Sequence, residues 1–408
     1  MTIKPEQFSI SGKQAMANKN LQATLRHISD EFIERRNQAI AEVTAEEWQE
    51  WRNRATEIKD HSLAHLDIYL EAFEKNLTAA GGQLHWCMTP EEANETITAI
   101  CRQHQAQLVV KSKSMVSEEI QLNDHLTDEN IKVVETDLGE YIIQLRGEKP
   151  SHIIAPAMHL TQEMVANSFR HHHMHLPQKR RLEDIDSLLA EARTVLRKSF
   201  LTADVGITGA NFLVAESGSV VLVTNEGNGD LVATLPRVHI VLTTIDKVVP
   251  TLFDAVMLTR MLGRSATGQA ITSYTTLITG KKKITDSDGG SAYHVVLLNN
   301  NRTQLLDPAL RASLRCIKCG ACLNHCPIYQ TVGGHSYGGP QMGPIGAVVA
   351  PAIYGIKKSN DLVFASTLCG RCEEVCPVKI PIPNLLRHQR EWSFLQKTIP
   401  TSKQKQLR

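Results

Sequence analysis

Apolar residues recur at spacings of three and four through the first eighty residues. LQATLRHISDEFIERRNQAIAEV and EEWQEWRNRATEIKDHSLAHLDIYLEAFEKNLTAAGG place charges between those positions, which predicts long amphipathic helices. Gly81-Gly82 supplies a stop. The period then changes. Thr89-Pro90-Glu91-Glu92 offers an N-cap, a first-turn proline and acidic residues for a helix through Ile100. Gln107–Val110 and Ile131–Glu135 read as strands, with a helix between them over Met115–Leu126. Another amphipathic helix opens at Leu182. Asn211–Ala215, Ser219–Thr224 and Val238–Thr243 follow as β-rich runs separated by turn residues. Strands alternating with helices predict an α/β domain over residues 81–298, behind an N-terminal helical segment over 1–80. NNNRTQLLDP reads as a linker into a cysteine-bearing domain over 299–395, with a polar tail over 396–408. Within that domain GGHSYGGPQMGPIG (333–346) is too rich in Gly and Pro for regular helix.

Charge changes this picture little. Lys plus Arg number 44 and Asp plus Glu 43, so no global field favours nucleic acid or an anionic membrane. No apolar run approaches the roughly 18–20 residues that span a bilayer. MTIKPEQFSISGKQAM lacks the apolar stretch of a secretory signal, and a cytoplasmic location without a transmembrane segment is expected.

The cysteines change it most. Seven of nine fall in two tight groups near the C-terminus, and only Cys87 and Cys101 lie elsewhere, as small apolar core residues. Cys316, Cys319, Cys322 and Cys326-Pro327 have the C-x2-C-x2-C-x3-C-P spacing of bacterial [4Fe–4S] sites, in which the fourth cysteine serves the other cluster. Crossing over in this way, Cys316, Cys319, Cys322 and Cys376 hold cluster 1, and Cys326, Cys369 and Cys372 hold cluster 2. A complete second repeat would have cysteine at 366, where the chain has Ser366. Cluster 2 is therefore expected to be [3Fe–4S], or [4Fe–4S] with Ser366, a histidine, solvent or a partner's group on its fourth iron. Zinc knuckles also use C-x2-C pairs, but they call for four ligands in two separated pairs.

Two stretches of the middle domain could hold a ligand. Lys111-Ser112-Lys113-Ser114 precedes a predicted helix and suits a carboxylate or phosphate. Gly-containing turns around Gly209, Glu216 and Asn225 bracket apolar strands and gather polar groups at one sheet end. Lys111, Lys113, Gly209, Glu216 and Asn225 are the candidate pocket, against the plainer alternative of ordinary caps and hairpin turns. Neither a dinucleotide fingerprint nor a P-loop is present. His171-His172-His173 with His175 reads as a polar surface segment, because consecutive helical residues point in different directions.

VKSKSMVSEEIQLN, DVGITGANFLVAESGSVVLVTNEGN, CIKCGACLNHCPIYQTVGGHSYG and LCGRCEEVCPVKIP together resemble the B-type iron–sulfur proteins of lactate utilisation over almost the whole chain. Members continue beyond the second cysteine group, and this chain ends soon after it. The resemblance implies a LUD-type middle domain with the NagB/RpiA/CoA-transferase-like α/β fold, shared with 5-formyltetrahydrofolate cyclo-ligase. It also implies an α-helical ferredoxin domain. It further implies a part in oxidising L-lactate to pyruvate beside two partner subunits, one cysteine-rich and one with the LUD domain alone. The leading expectation is an iron–sulfur electron-transfer subunit passing electrons to an unknown acceptor, without flavin. Two others stand beside it: a catalytic subunit that binds a hydroxy-acid carboxylate, with the open iron of cluster 2 as Lewis acid, and a redox sensor or assembly scaffold.

Overall fold

The computed structural model describes residues 3–398; the polar tail expected over 396–408 lies almost wholly outside the described residues. Four long N-terminal helices, Phe8–Ala17, Lys19–Ala41, Ala45–Ala64 and Leu66–Ala79, come first. Thr44 and Glu47 close a reciprocal capping box at the start of the third. The long amphipathic stretch is not continuous. It breaks at His65, whose φ of −126° and ψ of 37° leave the helical range.

Ten strands follow: β1 (Gln83–Cys87), β2 (Leu108–Lys111), β3 (Lys132–Glu135), β4 (Val205–Thr208), β5 (Phe212–Val214), β6 (Ser219–Thr224), β7 (Val238–Thr244), β8 (Val248–Val249), β9 (Tyr274–Ile278) and β10 (Ala292–Leu298). Six form a parallel sheet in the order β1-β10-β7-β4-β2-β3, and β8-β5-β6-β9 form a smaller second sheet. The parallel sheet is covered on both faces, which is why β7 is buried at every position. Ile97, Ile100, Leu122 and Leu126 pack on one face and Leu70, Phe73 and Leu77 on the other. The fold class is thus mixed α/β, with N-terminal helices and a helical C-terminal region. The helix expected over 115–126 is broken into Met115–Glu119 and Leu122–Asp128 by Gln121, which takes a left-handed conformation at φ 54°. Gly206 sits inside β4, where a Cβ would come within 1.9 Å of the Val232 carbonyl oxygen; only glycine lets the helix Asn228–Thr234 approach so closely.

Three local expectations are corrected. Asn299, Asn300 and Arg302 are buried against the α/β domain, so this stretch is not a loose linker. A helix, Gly343–Tyr354, starts within the Gly/Pro-rich loop and is buried along nearly its whole length. His173 is not at the surface, because it bonds Tyr141 Oη at 2.7 Å and Glu191 at 2.7 Å inside the domain.

The sheet also carries a proton-linked stability term. His239 on β7 is buried beside Thr208 Oγ1 at 2.9 Å, and burial pushes its imidazole down from 6.5 to about 3. The unfolded chain therefore binds a proton that the folded chain refuses between those values, so stability is present above pH 6.5 and is lost as pH falls. At pH 5 the loss from this group is about 2 kcal/mol, from about 1.4 kcal/mol per unit. His239→Gln is expected to flatten the fall in Tm between pH 7.5 and 5; an unchanged slope would assign the acid sensitivity elsewhere.

Candidate iron–sulfur centres and the adjoining cavity

The two cysteine groups share one backbone design. Lys318 and Leu368, each just before a cysteine, both adopt left-handed φ, 60° and 57°. Gly320 and Gly370, each just after, do the same at 74° and 85°. The short helices Ala321–Asn324 and Arg371–Glu374 follow, so Cys319 matches Cys369, Cys322 matches Cys372 and Cys326 matches Cys376. Ser366 then occupies the position of Cys316. The Lys318 amide donates to Cys316 Sγ at 3.4 Å, and the Leu368 amide donates to Ser366 Oγ at 3.1 Å.

The thiols meet across the repeat. Cys316, Cys319, Cys322 and Cys376 lie close enough to act on one another electrostatically, as do Cys326, Cys369 and Cys372. Burial pushes the Cys319 and Cys372 thiols up to about 12 and Cys376 to about 11. Cys369 differs: it is exposed, and the Arg371 amide followed by the Thr367 hydroxyl holds its thiol below the ordinary value. No thiol of the first group is fully exposed, Cys316 and Cys322 being partly buried, whereas the second group opens toward solvent at Cys369.

The donor set suits an iron–sulfur cluster. Metal binding takes up the thiolate form, and backbone amides aimed at sulfur, such as Ile380 on Cys376 Sγ at 3.4 Å, stabilise that thiolate. Among the described residues no three His, Cys, Asp or Glu side chains converge as a single ion requires. A lone zinc draws its ligands to about 2.3 Å, whereas a cubane keeps its cysteines apart at its corners.

The N-terminal helices clamp this loop. Arg36 donates to the Val375 carbonyl at 2.8 Å, and Arg52 donates to the carbonyls of Cys376 at 2.9 Å and Glu374 at 3.0 Å. Arg315 pairs with Asp60 through two contacts of 2.6 and 2.7 Å. Hydrogen bonds from a charged donor are worth about 1.5–3 kcal/mol. Arg52→Ala is therefore expected to favour local opening tenfold or more and to speed iron loss to a chelator; an unchanged rate would mean the loop holds itself.

A cavity of about 320 Å³ lies between the α/β domain and the Cys316 loop. Lys113, Gly209 and Asn225 line it together with Ser112, Lys247, Ser313, Cys316 and Lys318. Lys111 and Glu216 are not brought to it. Lys111 is fully buried on the opposite side, paired with Glu135 at 2.7 Å and bonded to Ser117 at 2.6 Å, so its charge is spent inside the domain. Glu216 is exposed and accepts from the Leu252 amide at 2.6 Å, capping the helix Leu252–Ala266. The cavity reaches Cys316 and none of Cys326, Cys369 or Cys372, so it does not adjoin the open second group. A larger cavity, about 890 Å³, opens beside Glu118, Glu135 and Glu140 and touches no cysteine.

Sequence reasoning missed Lys247, Ser313 and Lys318. Asp246-Lys247 puts two charges between the strand runs of β7 and β8, and Lys318 falls inside a C-x2-C spacing; both are signals that the sequence carries.

Comparison with known proteins bears on this geometry. A family model described as the LUD domain matches residues 70–298, and one described as a 4Fe-4S dicluster domain matches residues 312–380. Lactate utilization protein B of Shouchella clausii is 46% identical over 356 residues, covering 87% of this chain and 74% of that protein. The protein of the same name from Bacillus subtilis is 42% identical over 396 residues, covering 96% and 81%. A solved DUF162 family protein from Deinococcus radiodurans aligns with 57% of this chain and 98% of its own at 12% identity and a TM-score of 0.32, too low to carry an argument.

Proposed function

Because this chain belongs to the lactate utilization protein B family, we propose that it is an iron–sulfur electron-transfer subunit of a cytoplasmic system oxidising L-lactate to pyruvate. The observation that carries this reading is the crossed meeting of the thiols, which sets two cysteine groups side by side in one domain. Oxidation of a 2-hydroxy acid releases two electrons, and each iron–sulfur cluster accepts one. Cys316, Cys319, Cys322 and Cys376 hold cluster 1. Cys326, Cys369 and Cys372 hold cluster 2, and Ser366, presented like Cys316, completes it. Solvent exposure at Cys369 makes that end the exit toward an acceptor or one of two partner subunits. No described helix is long and apolar enough to cross a membrane.

The work divides along the chain. The helical segment 1–80 clamps the second cysteine loop, the α/β domain 81–298 forms one wall of the cavity, and 299–395 carries the clusters. The test is iron and sulfide content of anaerobically purified protein, with low-temperature EPR before and after dithionite. Signals from two interacting reduced clusters are expected. Zinc without sulfide would overturn the reading.

A further inference from the structure

The cavity beside Cys316 holds polar groups that the protein leaves incompletely satisfied. Ser112 and Ser313 line it at 2% and 1% exposure, and neither hydroxyl has a hydrogen-bond partner. A buried hydroxyl without a partner is costly, so both sites call for one. Lys247 is also buried, yet its ammonium reaches only the Cys316 carbonyl oxygen at 3.5 Å and the Asp246 carboxylate at 3.9 Å. An ammonium has three donors to place, and neither contact is short. Thr244 at 2.6 Å and Arg302 at 3.4 Å both contact Asp246 Oδ1, and Lys247 faces the other oxygen, Oδ2, at 3.9 Å. Lys318 enters the same cavity, makes no ion pair with any described residue, and acts on Lys247 as a like charge. Two carboxylates also line the cavity, Asp137 accepting from the Glu140 amide at 3.1 Å and Glu226 from the Leu138 amide at 3.2 Å. Arg302 is held by Glu119 at 2.8 Å, and Lys113 donates to the Ile154 carbonyl.

We propose that this cavity is a binding site for a small 2-hydroxy- or 2-oxo-carboxylate, whose carboxylate is held between Lys247 and Lys318 and whose second oxygen bonds the Ser313 or Ser112 hydroxyl. Size supports the class. About 320 Å³ is at the lower end of ligand cavities, ample for a three-carbon acid and confining for a nucleotide. The walls supply the rest: Leu242, Leu262, Leu314, Ile317 and Val349 face the cavity and exclude water around the ion pair. Such an acid sits against the loop of Cys316, on the first cysteine group. The placement beside a cluster rests on the function proposed above; the anion site itself does not.

The test uses calorimetry on the anaerobic full-length protein with pyruvate and L-lactate as probes and inorganic phosphate as the competing anion. A carboxylate that binds more tightly than phosphate is expected, and Lys247→Met and Lys318→Met each weaken it tenfold or more. Ser313→Ala weakens it less, and Lys281→Met, on a distant turn, leaves it unchanged. Lys318 is half-buried, so its variant keeps the test valid where Lys247→Met fails to fold. Phosphate binding as tight as pyruvate, or full affinity in both lysine variants, would overturn the site. EPR of the reduced protein provides the second readout: pyruvate shifts the signal assigned to the Cys316 group. If the protein holds no cluster while calorimetry still shows lysine-dependent binding, the electron-transfer reading fails and the anion site stands.

Discussion

Replacing Glu119 with alanine is expected to destabilise the protein by about 3–5 kcal/mol, the cost of leaving a buried charge without its partner. Glu119 ends the short helix after β2 and is buried. Its carboxylate takes two bonds from Arg302, at 2.8 and 2.9 Å, and single bonds from Asn300 and Gln341, both at 2.6 Å. Four donors on one carboxylate satisfy its lone pairs almost completely. The donors come from different places: Asn300 and Arg302 follow β10, and Gln341 belongs to the cysteine domain. Removing the carboxylate leaves Arg302 with Asp246 at 3.4 Å and strands two amide groups in the interior. Scanning fluorimetry of the anaerobic protein checks this, with a fall in Tm of about 4–6 °C expected. The double variant Glu119→Met with Arg302→Met is expected to recover part of the loss, because a hydrophobic pair of similar volume avoids the desolvation of two ions. If the single variant melts like the parent, the network is not what joins the two domains.

That network also shows where a sequence stops being legible. The cysteine spacing is local, and the ligand geometry of a cluster is written within a few residues of each sulfur, so the seven cysteines are visible at once. Strand and helix alternation is also local, and the α/β class follows from it. Glu119, Arg302 and Gln341 meet only in the folded chain, and each taken alone is an ordinary polar residue. NNNRT therefore looks like a connecting segment, because Asn and Arg beside a strand usually face water. Lys111 misleads for the opposite reason. Two lysines before a helix look like an anion site, yet Lys111 ends β2 pointing inward, and a buried lysine at such a position takes a carboxylate, here Glu135. Lys113, two residues on, reaches the cavity. Gly209 and Asn225 are legible as turn residues at a strand end, whereas Lys247 lies within a run whose burial conceals its use.

Cysteine replacements separate the crossed arrangement from the sequential one, and here the largest loss is expected. Cys376 stands in the second motif by sequence but lies with Cys316, Cys319 and Cys322 in space. Cys376→Ala is therefore expected to remove cluster 1 and about half the iron, leaving the signal of the group that holds Cys369 and Cys372. Cys326→Ala is expected to do the reverse. If the ligands were used in sequence order, the two variants would exchange their EPR spectra. Ser366 gives the finer result. Its hydroxyl accepts the Leu368 amide as Cys316 accepts the Lys318 amide, so an oxygen is presented where the repeat presents sulfur. An alkoxide ligand is harder than a thiolate and holds iron less firmly at a soft site. Ser366→Ala is expected to leave about seven irons of eight, with an oxidised-state [3Fe–4S] signal, and Ser366→Cys to retain all eight and resist iron loss. Retention of eight irons in Ser366→Ala would take the fourth ligand away from Ser366 and give it to a histidine, to solvent or to a partner at the exposed Cys369 edge.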